Sequence, residues 1–436
     1  MIGGIQNIGK IPELRQRILF TFGMLAVYRV GCAVVTPGIN ASVIRDFFKQ
    51  MEGTVFGLFN LFSGGALEQL SIFSLGIMPY ISATIIFQLL TVVIPQLEAL
   101  KKEGEQGQKK INQWSRYATI VLALFQSLLI ATALEGGQFG AGAVLNPGWA
   151  FKAMTMVTLT TGTAFIMWLG EQVTERGIGN GISLVIFSGI VAGIPSGVLQ
   201  MFELIRTDQF TPLQAILLTL FALVVVGGVV FVERAQRRIP IQHARRVVGK
   251  KVAQGGMSYF PLRVNTAGVI PPIFASSLLM FPLTLRQFSD SPTIQTFIDR
   301  FLNPGGMTYN LVYVGLIMFF CYFYTAIVIN PVDVSENIKR FGGYIPGIRP
   351  GAKTAEYIDK VLSRLTFIGA VYVAAVCVLP VILSARMNVP FYFGGTALLI
   401  CVGVALDTIG QIEAHLVSRE YEGFVKGGRT RGRLGR

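Results

Sequence analysis

The chain has 436 residues, of which 52% are hydrophobic and only 14% are charged, and its formal net charge is +14. Soluble globular proteins carry about 25% charged residues, so this composition excludes a soluble domain and indicates a membrane protein that crosses the bilayer several times. What the positive charge means depends on whether it is spread along the chain or concentrated on one side of the membrane.

Apolar runs of about 17–22 residues, each long enough to cross a bilayer, recur along the whole chain. Ten such runs begin near Ile18, Ser71, Tyr117, Ala153, Ile182, Pro212, Thr266, Asn310, Thr366 and Gly395. We therefore predict an all-α polytopic membrane protein with ten transmembrane helices.

The Lys and Arg residues fall mainly on one side of these spans. If the N-terminus is cytoplasmic and the chain changes sides at each span, all but eight of the 37 Lys and Arg residues lie in cytoplasmic segments. The eight exceptions are Arg29, Arg45, Lys49, Lys152, Arg206, Arg286, Arg300 and Arg386. This asymmetry fits the positive-inside rule, so both termini are predicted to be cytoplasmic.

A short apolar segment, Val55–Leu70, precedes the second span. It is too short to cross a membrane and is interrupted by Gly64 and Gly65. Non-helical backbone at membrane depth is tolerated only against protein or a cavity, so a re-entrant segment folded back into the protein fits both facts. The alternative is an interfacial helix on the outer leaflet, but the segment is poor in Lys and Arg, and we favour re-entry.

Two Gly-x-x-Pro breaks open apolar runs in corresponding places of the chain. Gly76–Pro79 lies in the second predicted span and Gly268–Pro271 lies in the seventh. Membrane proteins use such breaks to line a cavity between two halves. Because five spans per half reverse the direction of entry, residues 1–206 and 207–436 are predicted to form two inverted five-helix halves.

Isoleucines cluster near these breaks and near two further glycines, Gly181 and Gly395. They are Ile77, Ile81, Ile182, Ile186, Ile273 and Ile400. Branched aliphatic side chains that point into a narrow cavity would form the waist of a central hourglass pore, which blocks ions by dewetting. Ordinary lipid-facing or core isoleucines would show the same spacing, so the residues alone leave both interpretations open.

Ionisable groups suited to catalysis or proton coupling are scarce in the predicted spans. Asp407 lies in the cytoplasmic half of the last span, where a helix–helix hydrogen bond or a water contact is the simpler role. Glu171 and Glu175 lie at the cytoplasmic end of the fourth span, and a proton relay through them is an alternative that we do not favour. The four cysteines lie in apolar spans without a CxxC pair or a His cluster, so we expect reduced thiols, no metal and no cofactor. An intramembrane enzyme is therefore not expected.

Two predicted cytoplasmic loops are longer and more basic than membrane insertion requires. Phe231–Val264 carries eight Lys and Arg residues, and Asn330–Arg364 carries six together with a tip rich in Pro and Gly. Such loops either record the insertion topology or provide a docking surface for a partner, and we favour docking.

Several long motifs occur in order along the chain. They are NLFSGGALEQLSIFSLGIMPYISATIIFQLLTVV, GEQVTERGIGNGISLVIF, NTAGVIPPIFASSLL, YIPGIRPGAKTAEYIDKVLSRLTFIGA and PFYFGGTALLI. Together they resemble the SecY family, whose members form the central subunit of the bacterial protein-conducting channel. The resemblance runs from about Ile11 to the C-terminal tail.

The resemblance implies a channel in the plasma (inner) membrane that translocates unfolded secretory polypeptides and releases transmembrane segments laterally into the lipid. By motif, the six isoleucines named above would form the pore ring. The re-entrant segment would be the plug, which includes Phe59, Asn60, Leu61, Phe62, Ser63, Gly64 and Gly65. Spans two and three against spans seven and eight would form the lateral gate, with polar candidates Thr84, Gln88 and Asn265.

The resemblance also implies partners. SecE and usually SecG are expected as small membrane subunits, and SecA or the ribosome would drive transport of signal peptides and nascent chains. The candidate docking residues, which would contact carboxylates or rRNA phosphates, are Arg245, Arg246, Lys250, Lys251 and Arg349. Family members often have an arginine pair where this chain has Lys250 and Lys251, which keep the charge but lose the bidentate geometry.

A secondary transporter of a small solute with inverted repeats is the alternative. It would need a charged or polar site in the middle of the membrane, which the sequence does not show, and it would leave the basic loops without a role. The sequence also lacks a G-x-x-x-x-G-K-[ST] motif, so a channel would depend on its partners for energy.

Overall fold

The structure, a computed structural model, describes residues 11–50, 63–137, 139–140, 142–207, 211–243, 246–248, 251–253, 256–288, 296, 298, 306–387 and 395–431. The chain divides into two compact units. The first comprises Met1–Thr207 together with Val404–Arg436, and the second comprises Asp208–Gly403. The inverted symmetry of halves 1–206 and 207–436 stays a prediction.

Several helices of the first unit begin where proline or a capping side chain fixes the backbone. In chain order they are α1 (Pro12–Ala33), α2 (Ala41–Gln50), α3 (Met78–Val93), α4 (Pro95–Lys102), α5 (Glu105–Glu135), α6 (Trp149–Arg176), α7 (Gly181–Ala192) and α8 (Ile194–Arg206). Proline lies in the first turn of α1, α3, α4 and α8, where its missing N–H costs nothing. Asn180 caps α7, because its Oδ1 accepts from the N–H groups of Ile182 and Ser183.

The second unit contains the remaining helices. They are α9 (Pro212–Arg234), α10 (Ile270–Phe288), α11 (Met307–Val328), α12 (Pro331–Arg340), α13 (Ala352–Met387) and the start of α14 (Gly395–Arg431). A capping box starts α9, in which Thr211 and Gln214 bond each other's backbone N–H. Asn330 caps α12 by accepting from the Val332 N–H.

All ten predicted spans coincide with helices of the described residues. Seven helical stretches are long and apolar enough to cross a membrane, and an eighth is the pair α3–α4, which is bent by 99°. The other two predicted spans are α1 and α10. Helix α3, which corresponds to the second predicted span, begins at Met78 rather than near Ser71. Gly76 just before it adopts a left-handed conformation (φ +57°), and Pro79 lies in the first helical turn, where its missing N–H is tolerated.

The core of the first unit lies between α5 and α6. The face of α5 that is buried consists of small residues four apart, Ser115, Thr119, Ala123, Ser127 and Ala131. Small side chains let two membrane helices approach closely. Leu159 of α6 packs beside this stripe in a buried cluster with Ala123 and Leu75.

The two long basic loops form strands, which the sequence analysis did not predict. The strands are β1 (Gln236–His243), β2 (Arg246–Val248), β3 (Lys251–Ala253), β4 (Met257–Arg263) and β5 (Gly343–Tyr344). Antiparallel pairing gives one sheet in the order β4-β1-β5 and a separate pair β2-β3. The first sheet therefore joins the two loops into one body.

A hydrophobic cluster fixes this body to the helices of the second unit. Ile239 of β1 and Leu262 of β4 are buried against Ile345 and against the start of α13, including Ile358 and Leu362. Ile239 and Ile241 are buried, whereas Arg238 is exposed and Pro240 and Gln242 are only half-buried, which is the period of two expected of a strand. The loops are thus held on a rigid base.

Candidate functional site

The described part of the re-entrant segment, residues 63–70, consists of turns rather than a helix, and irregular chain continues from there to residue 77. Ser63, Ala66, Leu70 and Ser71 are buried. Backbone bonds tie it to the chain after α1, since the Thr36 N–H donates to Leu70 O at 3.0 Å and the Ile72 N–H donates to Val34 O at 2.9 Å. This part is folded into the first unit. The plug candidates Phe59, Asn60, Leu61 and Phe62 lie outside the described residues.

Two side chains of α1 reach the first turn of this segment. The Tyr28 hydroxyl donates to Ser63 O at 3.1 Å, and Nη1 of Arg29 donates to Gly64 O at 2.7 Å. Gly64 has φ +71°, a conformation that favours glycine. The sequence analysis placed Arg29 only as an external exception to the charge asymmetry and did not find this contact.

Four of the six candidate pore isoleucines lie in the first unit. The N–H of Ile81 donates to Ile77 O at 3.1 Å, so the two residues stand one helical turn apart and both are buried. Ile186 of α7 is also buried, whereas Ile182 is half-buried and its Cγ1 packs on Gly170 of α6. None of the four is exposed, which disfavours a lipid-facing position.

Ile273 of α10 and Ile400 of α14 lie in the second unit and are both buried. Burial fits either a core position or a constriction. The convergence of all six side chains on one axis stays a prediction.

The gate candidates Thr84 and Gln88 stand one turn apart on α3, and both are half-buried. The Gln88 carbonyl accepts from the Thr91 hydroxyl at 2.7 Å. Their side chains therefore share one face of the helix that carries Ile77 and Ile81.

Asn265, the third gate candidate, is fully engaged with the protein. Its Nδ2 donates to Glu233 Oε1 at 2.7 Å and to Gly268 O at 3.1 Å, while its Oδ1 accepts from the Gly268 N–H at 3.1 Å. The side chain is only 4% exposed. The amide thus closes the turn that leads into α10 and ties it to the end of α9.

Arg349 lies on a turn whose backbone is held from several sides. The Thr354 hydroxyl donates to Arg349 O at 3.0 Å, and the Ser335 hydroxyl donates to Gly351 O at 2.7 Å. The Arg349 side chain itself is exposed. A fixed backbone and an exposed guanidinium suit recognition of a carboxylate or a phosphate.

The other docking candidates belong to the separate strand pair. Arg246 begins β2 and pairs with Ala253, and Lys251 begins β3 and pairs with Val248. Arg245 and Lys250 lie outside the described residues.

Residues 71–409 match the family model described as SecY, which is more than half of the chain. The chain belongs to the SecY family. The family resemblance stated from the motifs is therefore confirmed.

Curated SecY relatives match almost end to end. Protein translocase subunit SecY of Escherichia coli (strain K12) is 49% identical over 427 residues, which cover 97% of this chain and 96% of the relative. The protein of the same description from Aquifex aeolicus (strain VF5) is 46% identical over 425 residues, covering 97% and 99%.

Solved structures share the fold at lower identity. One described as the structure of a protein conducting channel has a TM-score of 0.65 at 19% identity, covering 95% of this chain and 97% of that chain. A second, concerned with the plug domain of the SecY protein, has a TM-score of 0.62 at 19% identity with the same coverage. Sec61 in the canine ribosome–channel complex has a TM-score of 0.61 at 18% identity, again with that coverage. The predicted all-α polytopic channel fold is confirmed.

Two ion pairs of this SecY-family chain were not found from the sequence. Arg116 Nε of α5 lies 2.6 Å from Glu171 Oε1 of α6, and Lys152 Nζ lies 3.0 Å from Glu135 Oε2. Each pair joins α5 to α6 near one end of the helix hairpin. Glu171, which the sequence analysis considered for a proton relay, has a structural partner instead.

The part of the chain that the structure describes holds no cluster of three or more His, Cys, Asp or Glu side chains suited to a metal ion. Its four cysteines are unpaired, and three of them are buried.

Proposed function

We propose that this SecY-family chain is the pore-forming subunit of a protein translocase. Unfolded secretory polypeptides cross the membrane through it, and transmembrane segments leave it sideways into lipid. The observation that carries the proposal is 49% identity with a protein translocase subunit over 97% of the chain. The chain acts as a passive channel rather than as an enzyme, and its partners supply the energy.

The pore ring consists of Ile77, Ile81, Ile182, Ile186, Ile273 and Ile400. Their place beside helix breaks supports this, and the burial of five of them disfavours lipid-facing positions. An aliphatic constriction excludes hydrated ions by dewetting, and its flexible side chains adjust to different polypeptide segments. Ile182 contributes least, because its side chain packs on Gly170.

The Val55–Leu70 segment acts as the plug of this pore. Support comes from the burial of Ser63, Ala66 and Leu70, and from a solved structure of this fold whose description assigns the SecY plug domain to the closed state and the membrane seal. A second barrier in series with the ring reduces ion leakage through the resting channel.

The lateral gate runs along α3 and α5 on one side and α10 and α11 on the other. Thr84 and Gln88 line α3, and Asn265 holds the turn at the start of α10. When these helices part, an apolar segment in the pore reaches lipid and partitions into it, because burial of apolar surface away from water is favourable.

Partners dock on the sheet body made by the two basic loops. Arg349 is the central contact, supported by Arg245, Arg246, Lys250 and Lys251. The ribosome is one partner, since a channel of the same fold is described in a ribosome–channel complex, and SecA is the other. SecE and SecG complete the complex in the plasma membrane, with both termini of this chain in the cytoplasm.

Reconstitution tests the function directly. Proteoliposomes that contain this chain with its small membrane subunits, SecA, ATP and an unfolded preprotein should yield protease-protected preprotein. Omission of this chain should abolish protection. Ion-driven uptake of a small solute without any protected preprotein would overturn the proposal and support the transporter alternative, which the relatives do not favour.

A further inference from the structure

The turn at Ser63 and Gly64 is gripped by two consecutive residues of α1. Tyr28 bonds the carbonyl of Ser63 and Arg29 bonds the carbonyl of Gly64, at 3.1 and 2.7 Å. Consecutive residues of an α-helix point about 100° apart. The two donors therefore reach two adjacent carbonyls from different directions, and the turn cannot rotate without breaking one of them.

Aromatic packing fixes the Tyr28 hydroxyl in place. Tyr28 is 1% exposed, and its ring stacks on Phe73 at 5.9 Å, which in turn stacks on Phe165 of α6 at 5.9 Å. Three stacked rings thus connect α1, the turns that follow the re-entrant segment, and α6. The donor is preorganised, so little side-chain entropy is lost in forming its bond.

Gly64 leaves room for the arginine. A side chain at this position would begin 2.9 Å from Arg29 Nη1 and 2.9 Å from the Gly189 Cα of α7. The close approach of the guanidinium to the Gly64 carbonyl at 2.7 Å therefore depends on glycine. A hydrogen bond with a charged donor is roughly twice as strong as a neutral one.

The chain that follows the turn is held by its own backbone instead. The Ser71 N–H donates to Ala66 O and the Ile72 N–H donates to Val34 O, both at 2.9 Å. These bonds do not involve Tyr28 or Arg29. Loss of the Tyr28 hydroxyl or of the Arg29 guanidinium should therefore release the Ser63–Gly64 turn while the segment from Ala66 onward stays in place.

We propose that Tyr28 and Arg29 form a latch that fixes the root of the re-entrant segment and so stabilises the closed channel. The inference rests on the proposed plug function of Val55–Leu70. Tyr28 and Arg29 are positioning residues: they hold the Ser63–Gly64 turn within the plug, and release of the Gly64 carbonyl lets the part of the plug that precedes this turn move while the part from Ala66 onward stays. Opening of the channel thus requires the Arg29 bond to break.

The test uses the full chain with its small membrane subunits in planar bilayers. Arg29→Met removes the charged donor, and resting ion conductance should rise by about tenfold or more, the factor expected for loss of a hydrogen bond to a charged group. Tyr28→Phe keeps the stacked ring and removes only the hydroxyl, so conductance should rise by roughly two- to tenfold. Arg29→Lys should restore much of the seal.

Matched controls separate the latch from the plug. Arg45→Met removes an exposed basic residue of α2 and should leave conductance unchanged. Deletion of Val55–Phe62 removes the upstream part of the plug and should leak. If that deletion stays tight, the plug assignment is wrong, whereas a leaky deletion with tight R29M and Y28F variants refutes the latch alone.

A second readout excludes simple misfolding. Translocation of a preprotein with a weakened signal sequence should increase in R29M and Y28F, because a less stable closed state opens with less signal-sequence binding. A misfolded channel cannot gain activity. If R29M does not accumulate in the membrane, Y28F decides the question. Wild-type conductance and wild-type rejection of the weakened signal sequence in Y28F would then overturn the latch.

Discussion

Replacement of Asn265 by alanine should destabilise the second unit by about 3 kcal/mol. Asn265→Ala removes three hydrogen bonds: one to the Glu233 carboxylate at 2.7 Å and two to the backbone of Gly268 at 3.1 Å. A bond to a charged group contributes about 1.5–3 kcal/mol and a neutral bond about 1 kcal/mol. Because Glu233 is half-buried, water can replace part of the hydrogen bonding that its carboxylate loses. We therefore take the lower end of the summed hydrogen-bond contributions.

Thermal unfolding of the purified protein in detergent, followed as loss of the monodisperse peak in size-exclusion chromatography, measures this effect. For a unit of roughly 200 residues, each kcal/mol lowers Tm by about 2–4 °C, so N265A should melt about 6–12 °C below wild type. The control is Thr266→Ala, because its hydroxyl donates only to the Arg263 carbonyl at 2.9 Å near the surface. A Tm of N265A within about 2 °C of that of T266A would show that these hydrogen bonds do not stabilise the unit. The Asn265 side chain could then serve the proposed lateral gate instead.

Three further predictions concern the ring, the docking tip and the α5–α6 pair. Ile186→Gly should raise resting ion conductance in planar bilayers because it widens the proposed ring, whereas Val185→Gly on the adjacent face of α7 should not; equal conductance would contradict the ring. Arg349→Glu should weaken binding of SecA or ribosomes to vesicles by about tenfold, with Arg349→Lys intermediate; unchanged affinity would contradict docking. Arg116→Met should lower the free energy of unfolding by about 1 kcal/mol, because it leaves the Glu171 carboxylate without its ion-pair partner. The double variant Arg116→Met, Glu171→Gln should recover part of that loss. Strictly additive losses of the two single variants would show that the pair is not coupled.

The membrane-spanning part of the fold could be predicted from the sequence because its signal is local. An apolar run long enough to cross a bilayer must form a helix, since lipid offers no partner for backbone N–H and C=O groups. The positions of the helix ends were predicted less accurately than the helices themselves. The α3 start at Met78, for example, is set by the conformation of Gly76 and the position of Pro79.

The sheet that joins the two loops could not be predicted in the same way. Its β1–β5 pairing rests on only two residue pairs, Gln242 with Tyr344 and His243 with Gly343, which are about a hundred residues apart in the chain. A two-residue strand has no periodicity to detect. The alternation around Ile239 and Ile241 in β1 did carry a strand signal, but it is short and lies in a loop whose most prominent feature is its eight Lys and Arg residues.

The roles of the candidate site residues stay predictions, and the structure adds contacts that the sequence does not show. Asn265 was chosen as a polar residue along a gate, but its partners Glu233 and Gly268 give it a turn-holding role. Arg29 was noted only for its charge. Its acceptor is the backbone carbonyl of Gly64, 35 residues away, and a backbone acceptor leaves no mark in the sequence.

Polar side chains at the helix breaks of this protein bind backbone groups. Asn180 caps the start of α7, Asn265 closes the turn before α10, and Arg29 holds the Gly64 turn. Each break exposes N–H or C=O groups that would be costly at membrane depth without a partner. Because these side chains are used to satisfy the backbone, they do not offer a binding site for a polar solute. The isoleucines next to the same breaks, Ile77, Ile182 and Ile273, are the apolar members of the proposed pore ring. An apolar constriction is what a channel for polypeptides requires, whereas a transporter of ions or solutes requires a polar site.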